Sequence, residues 1–159
     1  MAIGVEYRVV TEAVAAANRA SLEAATGTIV GKLEELDDCG VSLHVYGQSD
    51  GQWLEYLRFD CFQEEPHYHY VSWSTHENEV LHIDPVADGD PVAWALERVR
   101  TRLPQMFARA KAPQVAAMVD LNAIEAVMPK IAEAAYRARF HSNKAEIQKL
   151  AEQKRPSLG

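Results

Sequence analysis

The hydrophobic pattern between residues 41 and 84 has a period of two, which restricts this part of the chain to short strands. The first two alternating runs are separated by Asp50-Gly51, a pair that suits the positive φ angles of tight hairpins. Polar turns follow near residues 63–66 and 74–78. The sequence therefore predicts four strands, near residues 41–46, 52–62, 67–74 and 79–84, connected as an antiparallel meander.

Within the second strand, the alternation assigns side chains to two faces. One face is expected to carry apolar residues, namely Trp53, Leu57, Phe59 and Cys61. The opposite face is expected to carry Tyr56, Arg58 and Asp60. Cys61 is accordingly predicted to be a buried, small apolar side chain.

Helical periodicity precedes the strands. Leu22, Ile29 and Leu36 recur every seven residues, which predicts one kinked helix or two helices over residues 11–38. Gly40 is expected to end this helical segment.

Two further helical segments follow the strands. Asp90-Pro91 is typical of a helix start, with a capping aspartate and proline at the first helical position. Residues 113–153 form a long segment with apolar residues three and four apart. Kinks are expected at Pro104 and Pro129, and Asn143 with Glu146 resembles a capping box that restarts the helix.

The predicted fold class is α+β: a small four-stranded antiparallel meander covered by a helix, with N-terminal and long C-terminal helices. The expected organisation is an N-terminal helical segment at residues 1–40, an α+β core module at 41–111 and a C-terminal helical extension at 112–159.

Four of the six histidines lie between residues 67 and 82. His67 and His69 are two residues apart and therefore share one strand face, while His82 and Asp84 repeat this spacing on the next predicted strand. In a suitable register these four residues would converge on zinc or iron. The alternative is that the histidines are half-buried members of an amphipathic face. The register between the strands decides between these hypotheses.

Other chemistry is less well supported. A carboxylate beside a histidine could act in general acid–base catalysis, or the acidic residues could form a solvated rim that prevents edge pairing. These residues are Asp60, Glu64, Glu65, Glu77 and Asp84. The sequence contains no P-loop, no dinucleotide fingerprint, no G-x-S-x-G and no H-E-x-x-H. We therefore assign no catalytic residue and no organic cofactor.

The net charge of −7 is unevenly distributed. Residues 41–90 carry ten acidic and one basic side chain (−9), and residues 91–159 carry twelve basic and six acidic ones (+6). Such regions can attract each other within a chain or between copies. The acidic body would repel a nucleic acid, which makes the basic C-terminal segment a poor candidate for a nucleic-acid interface.

The chain has no run of about 18 apolar residues and no N-terminal signal-peptide pattern. Two cysteines, Cys39 and Cys61, are too few for a disulfide scaffold. We expect a cytoplasmic protein without a membrane span.

Several sequence runs resemble a family of small uncharacterised bacterial domains over about residues 41–110. They are Tyr56-Leu57-Arg58-Phe59-Asp60-Cys61-Phe62, Pro66-His67-Tyr68-His69-Tyr70, His82-Ile83-Asp84 and Trp94-Ala95-Leu96-Glu97-Arg98-Val99. The resemblance implies that the meander and the helix after it form one module, and it implies no activity and no catalytic residues.

The expected function is a non-catalytic scaffold or accessory subunit that self-associates through residues 11–38 and 113–153 and docks to a larger enzyme or complex. The first alternative is a small zinc or iron enzyme that uses His67, His69, His82 and Asp84. The second is a nucleic-acid-binding regulator that acts through the basic C-terminal helix.

Overall fold

The computed structural model describes residues 1–10 and 38–153, with side chains as far as residue 145. The described chain contains a five-stranded sheet of β1 (Ala2–Val10), β2 (Asp38–Ser49), β3 (Gln52–Phe62), β4 (His67–Ser72) and β5 (Glu77–His82). The strands are neighbours in chain order and every pair is antiparallel. The predicted meander is confirmed, but the prediction of four strands is wrong because β1 adds a fifth.

Strand β1 pairs with β2 along its whole length, from Ala2 opposite Tyr46 to Val10 opposite Asp38. Ile3, Val5 and Tyr7 pack against the core. The alternation is visible in the sequence, but residues 11–37 separate β1 from β2, so no hairpin turn identifies its partner. The segment predicted as helical over residues 1–40 therefore starts with a strand. Of the helix predicted over residues 11–38, residues 11–37 lie outside the described residues and Asp38 begins β2.

Gly40 lies inside β2, so the predicted helix stop at this position is wrong. A Cβ atom at Gly40 would lie 2.3 Å from the carbonyl oxygen of Cys61 and 2.7 Å from the Cα of Phe62. The close approach of β3 therefore requires glycine here.

The hairpin between β2 and β3 has the predicted turn, since Asp50 and Gly51 have φ angles of 50° and 77°. A register shift lies between Val45 and Tyr46. Because of this bulge, the faces predicted for Trp53 and Tyr56 at the beginning of β3 are wrong. Tyr56 is buried against Phe107, with ring centroids 5.7 Å apart, while Trp53 is 53% exposed.

The helices are α1 (Pro85–Asp88), α2 (Pro91–Arg109), α3 (Pro113–Ala116) and α4 (Leu121–Gln153). The predicted start of α2 is confirmed: Pro91 is its first residue, and Asp90 Oδ1 accepts a hydrogen bond from the backbone N–H of Ala93 at 2.9 Å. Helices α2 and α4 continue through Pro104 and Pro129. Helix α4 also continues through Asn143 to Gln153, so the helix restart predicted at Asn143 is wrong.

One hydrophobic core lies between the sheet and the helices. The sheet contributes Val41, Leu43, Val45, Leu57, Phe59 and Cys61, and α2 contributes Val92, Ala95, Leu96, Val99, Leu103, Met106 and Phe107. Helix α4 adds Ile124, Met128, Ile131 and Ala135, so the beginning of the C-terminal segment belongs to this core. Among the described helices, none has the length and apolar character needed to cross a membrane.

Candidate functional site on the polar sheet face

The sheet face opposite the helices carries a band of polar side chains, which we call the polar sheet face. Across it, Glu6 lies opposite Ser42, Ser42 opposite Asp60, and Asp60 opposite His67, which lies opposite His82. Opposed residues of an antiparallel sheet have Cβ atoms about 4.5–5.5 Å apart, so this register brings together residues from five strands.

A second row of opposed residues lies two positions along the strands. His44 is opposite Arg58, which is opposite His69. The two histidines of β4 therefore lie beside different partners on β3, His67 beside Asp60 and His69 beside Arg58.

Asp60 is the centre of the band and is only 1% exposed. Its Oδ1 accepts hydrogen bonds from Ser42 Oγ at 2.5 Å and Arg8 Nη1 at 3.0 Å, and its Oδ2 accepts one from Arg58 Nε at 2.9 Å. Oδ2 also lies 3.3 Å from His67 Nε2 and 3.2 Å from His69 Nε2. We call this group, Arg8, Ser42, Arg58, Asp60, His67 and His69, the Asp60 network.

The Asp60 carboxylate remains ionised despite its burial. Burial by itself would raise its pKa, but the hydrogen bond from His67, the charge of Arg58 and the hydrogen bond from Ser42 outweigh that effect and hold the pKa far below its usual range. A buried anion is therefore matched by several surrounding donors.

His67 has an acceptor at each ring nitrogen. Nδ1 donates a hydrogen bond to the carbonyl oxygen of Glu65 at 2.7 Å, and Nε2 faces Asp60. Burial lowers the pKa of His67, but the interactions with Asp60 and with the Glu65 carbonyl exceed that effect and raise the pKa overall. Two acceptors favour the doubly protonated imidazolium.

His69 has the opposite preference. Arg58 Nη2 donates to His69 Nε2 at 2.9 Å, which requires a lone pair on that nitrogen, and His69 Nδ1 donates to Asn78 Oδ1 at 2.9 Å. Burial lowers the pKa of His69, and the charge of Arg58 lowers it further. His69 is therefore the neutral histidine of the network.

His44 links two carboxylates beside the Asp60 network. Its Nδ1 lies 2.5 Å from Glu55 Oε2 and its Nε2 lies 2.9 Å from Glu6 Oε1. Burial lowers the pKa of His44, but the hydrogen bonds to Glu55 and Glu6 outweigh it and the pKa is raised. Arg58 Nη1 lies 3.3 Å from Glu55 Oε1, so one guanidinium joins this bridge to Asp60.

Asp38 fixes the loop that presents His67. Its carboxylate accepts hydrogen bonds from the backbone N–H groups of Gln63, Glu64 and Glu65 at 3.1, 3.1 and 2.8 Å. Glu65 in turn supplies the carbonyl oxygen for His67. This role of Asp38 is not visible in the sequence, because Asp38 and the loop are 25 to 27 residues apart and only strand pairing brings them together.

Of the four predicted metal ligands, His67 and His69 lie together beside Asp60, His82 lies next to His67 on the edge strand, and Asp84 lies beyond the end of β5. His82 lies opposite His67, with ring centroids 6.5 Å apart, but its side chain is 72% exposed and its Nδ1 is 3.8 Å from Glu65 Oε2. Asp84 caps α1 by accepting from the backbone N–H of Val86 at 2.9 Å. The carboxylate beside the two histidines is Asp60.

Asp60, His67 and His69 could together hold a metal ion, since their ligand atoms lie within 4.8 Å of one another. Zinc bonds of about 2.0–2.1 Å place the ligand atoms of a tetrahedron about 3.3 Å apart. The separations of Asp60 Oδ2 from the two Nε2 atoms, 3.3 and 3.2 Å, fit that spacing. Arg58, however, already donates to Asp60 Oδ2 and His69 Nε2. Metal binding through His67, His69, His82 and Asp84 stays a prediction.

The buried cysteine is not activated as a nucleophile. Cys61 is 7% exposed, as predicted, and its Sγ donates to the carbonyl oxygen of Pro91 at 3.3 Å. Burial, with the nearby charges of Asp60 and Asp90, raises the pKa of the thiol to about 12. A thiol in this environment stays protonated at neutral pH.

Together these features define a small α+β domain in which an antiparallel meander carries helices on one face and a buried charge network on the other. The chain belongs to a family described as a domain of unknown function (DUF7700), whose model matches residues 1–135. The expected relation to an uncharacterised domain family is confirmed, over a longer stretch than residues 41–110. No curated protein and no solved structure matches the chain significantly.

Proposed function

We propose that this domain is a non-catalytic accessory protein that self-associates through α4. The observation that carries the proposal is the continuation of α4 beyond Ala135, its last buried residue among the side chains described. Tyr136 is 45% exposed and Phe140 is 67% exposed. At about 1.5 Å per residue, a helix from residue 121 to 153 is about 50 Å long, and on its described part beyond Ala135 the side chains of Tyr136 and Phe140 are exposed to a partner.

A groove next to these aromatic side chains supports a helix-mediated contact. It lies between α2 and α4, has a volume of about 340 Å³, and is lined by Ala93, Leu96, Glu97, Arg100, Glu125, Met128, Pro129, Ala132 and Tyr136. Its mostly apolar floor suits side chains from an amphipathic helix.

The distribution of charge favours a second copy as the partner. Residues 41–90 carry −9 and residues 91–159 carry +6, so an acidic region of one copy can face a basic region of another. In an isologous interface the same helix of each copy contacts its equivalent, so the exposed surfaces of both copies are buried in one contact.

The polar sheet face supports the non-catalytic part of the proposal. Both ring nitrogens of His44, His67 and His69 are engaged by other residues of the domain. A general acid or base needs a nitrogen within hydrogen-bond reach of its substrate. This arrangement supports a role for the three histidines in stabilising the charged groups of the polar sheet face.

The proposal is tested by measuring the mass of the purified protein with light scattering at concentrations up to about 100 μM, well above the Kd of a micromolar complex. The variant Tyr136→Glu/Phe140→Glu is compared with Val86→Glu. Val86 is 96% exposed on α1, so its substitution adds the same kind of charge to an apolar surface position on another helix.

We expect an oligomer for the wild type and for Val86→Glu, and a monomer with unchanged far-ultraviolet circular dichroism for the double variant. A wild-type monomer throughout the concentration range, or a double variant that still forms the oligomer, would contradict the proposal. If the oligomer is found, co-purification identifies any larger complex to which it docks.

A zinc-binding protein is the second candidate, favoured by the spacing of Asp60 Oδ2, His67 Nε2 and His69 Nε2. Zinc would take the place of Arg58 between Asp60 and His69. Metal analysis of the purified protein tests this candidate: one equivalent of zinc that is lost in His67→Ala/His69→Ala supports it, and an equal, substoichiometric content in both proteins refutes it.

A further inference from the structure

A second concave site lies on the other side of the molecule from the polar sheet face, between α2 and β4. This cavity, which we call the arginine–aromatic cavity, has a volume of about 280 Å³. It is lined by Tyr68, Tyr70, Trp94, Arg98, Arg102, Gln105, Met106 and Arg109. Pockets for drug-sized ligands have volumes of about 300–1,000 Å³, so this one suits a ligand about the size of one substituted ring.

The spacing of the sequence along α2 produces the basic wall of the cavity. Trp94, Arg98, Arg102, Gln105 and Arg109 are separated by four, four, three and four residues, which places them on one stripe of the helix. Apolar residues on the neighbouring stripe, such as Val99 and Leu103, are buried in the core. Three guanidinium groups therefore border one small volume.

Two of the three guanidinium groups of this wall have no ion pair among the described residues. Arg109 Nη2 pairs with Glu79 Oε1 at 2.8 Å. Arg98 and Arg102 have no ion pair within residues 1–10 and 38–145, although the Arg98 guanidinium lies 4.7 Å from the centre of the Trp94 ring. The cavity thus has two guanidinium groups available for an anion, and guanidinium groups bind carboxylates and phosphates in a bidentate manner.

Aromatic rings of Tyr68 and Tyr70 from β4, together with the ring of Trp94 from α2, complete the lining. Tyr68 lies 5.6 Å from Tyr70 and 5.1 Å from Trp94 between ring centroids, and Arg109 lies 4.5 Å from the centre of the Tyr70 ring. Aromatic walls bind planar rings by stacking.

We propose that the arginine–aromatic cavity binds a small aromatic anion: one ring that packs on Tyr68, Tyr70 and Trp94, with a phosphate or carboxylate group held by Arg98 and Arg102. The inference does not depend on self-association, because none of these residues belongs to α4. Neither the polar sheet face nor the α2–α4 groove combines aromatic rings with unpaired guanidinium groups in this way.

Trp94 itself reports binding. In a Trp53→Phe/Trp73→Phe background it is the remaining tryptophan, and both replaced residues are exposed. Its fluorescence is followed while phenyl phosphate is added at constant ionic strength. Parallel titrations use three other compounds. Benzoate carries a carboxylate in place of the phosphate group, inorganic phosphate is an anion without a ring, and phenol is a ring without a charge.

We expect a saturable change with phenyl phosphate or benzoate, and weaker binding of both inorganic phosphate and phenol. The relative affinities of phenyl phosphate and benzoate identify the preferred anionic group. Arg98→Gln/Arg102→Gln should weaken binding at least about tenfold, which is the range of one bidentate charged contact. The matched control is Lys130→Gln/Arg137→Gln, which removes two exposed charges outside the cavity and should bind like the background protein.

The absence of a saturable response to phenyl phosphate and benzoate would overturn the inference, and so would equal weakening in the two double variants. Inorganic phosphate or phenol binding as tightly as the aromatic anions would also overturn it. Thermal unfolding verifies that each variant is folded. If replacement of Arg98 disturbs its packing on Trp94, the single variant Arg102→Gln is used, because Arg102 is exposed and its loss should still weaken binding.

Discussion

Arg58 and Asp60 face the same side of β3 and are joined by a hydrogen bond of 2.9 Å from Nε to Oδ2. The same guanidinium donates through Nη2 to His69 Nε2 at 2.9 Å. Arg58 therefore uses the carboxylate oxygen and the imidazole lone pair that a metal ion would need. In this arrangement a side chain supplies the positive charge between Asp60 and His69.

The first prediction concerns Arg58, which occupies the position that a metal ion would take between Asp60 and His69. Arg58→Ala should bind zinc at least about tenfold more tightly than the wild type, because Asp60 Oδ2 and His69 Nε2 lose their donor and a neighbouring positive charge is removed. Calorimetric titration with zinc measures the change.

Arg8→Ala is the matched control for the zinc titration. It removes a positive charge from Asp60 but leaves Arg58 on Oδ2, since Arg8 Nη1 contacts Oδ1. Equal zinc affinities in the two variants would mean that charge alone, and not access to the lone pairs, limits binding.

The second prediction concerns the buried carboxylate. Asp60→Asn should lower the free energy of unfolding by about 3–5 kcal/mol, because it removes the charge that compensates Arg8, Arg58 and His67. Urea denaturation at neutral pH measures the loss.

Glu64→Gln serves as the control for Asp60→Asn, since Glu64 is exposed and its loss should change stability by less than about 0.5 kcal/mol. Adding Arg58→Gln to Asp60→Asn should cost less than the sum of the two single changes. Additive effects would show that the two residues are not coupled.

The third prediction is a pH dependence caused by His44. Its pKa is raised in the folded protein, so its stabilising contribution is complete below the ordinary value of about 6.5 and is lost as the pH rises through the folded pKa. His44→Gln should therefore cost about 1.5 kcal/mol at pH 5.5, the range of hydrogen bonds to charged groups, and less at pH 8.5.

The measurement is the difference in unfolding free energy between wild type and His44→Gln at each pH. Glu55 remains charged at pH 5.5, since its own pKa is lowered: burial would raise it, but the hydrogen bond from His44 and the charge of Arg58 exceed that effect. A cost that grows with pH would contradict the sign derived from the raised pKa of His44.

The fourth prediction compares two strand glycines. Gly40→Ala should cost at least about 2 kcal/mol, because its Cβ would overlap the backbone of Cys61 and Phe62. Gly4→Ala should be neutral or slightly stabilising, because its Cβ would meet its nearest neighbours at 3.7 Å. Thermal unfolding of both variants checks the difference, and equal midpoints would contradict the close approach of β3 at Gly40.

Local features of the fold were predictable from sequence because short-range chemistry determines them. The Asp50-Gly51 turn has the expected positive φ angles, and Asp90-Pro91 begins α2. The alternating runs form β2 to β5, and His67 and His69 share one face because they are two residues apart. Each of these outcomes depends on backbone preferences within a few residues.

Other features depended on contacts between distant segments. Strand β1 lies 27 residues before β2, and nothing local identifies their pairing. The bulge at Val45 and Tyr46 reverses the expected environments of Trp53 and Tyr56, because one extra residue changes which side chains face the core.

For the candidate site, the sequence by itself determined that two histidines share a strand face with carboxylates nearby. Only the tertiary structure decided which carboxylate joins them: the register places Asp60 opposite His67, while Asp84, just beyond the end of β5, caps α1. It also placed Arg58 between Asp60 and His69. A shift of one residue in pairing exchanges the two faces of a strand, so the composition of this network is a property of the assembled sheet.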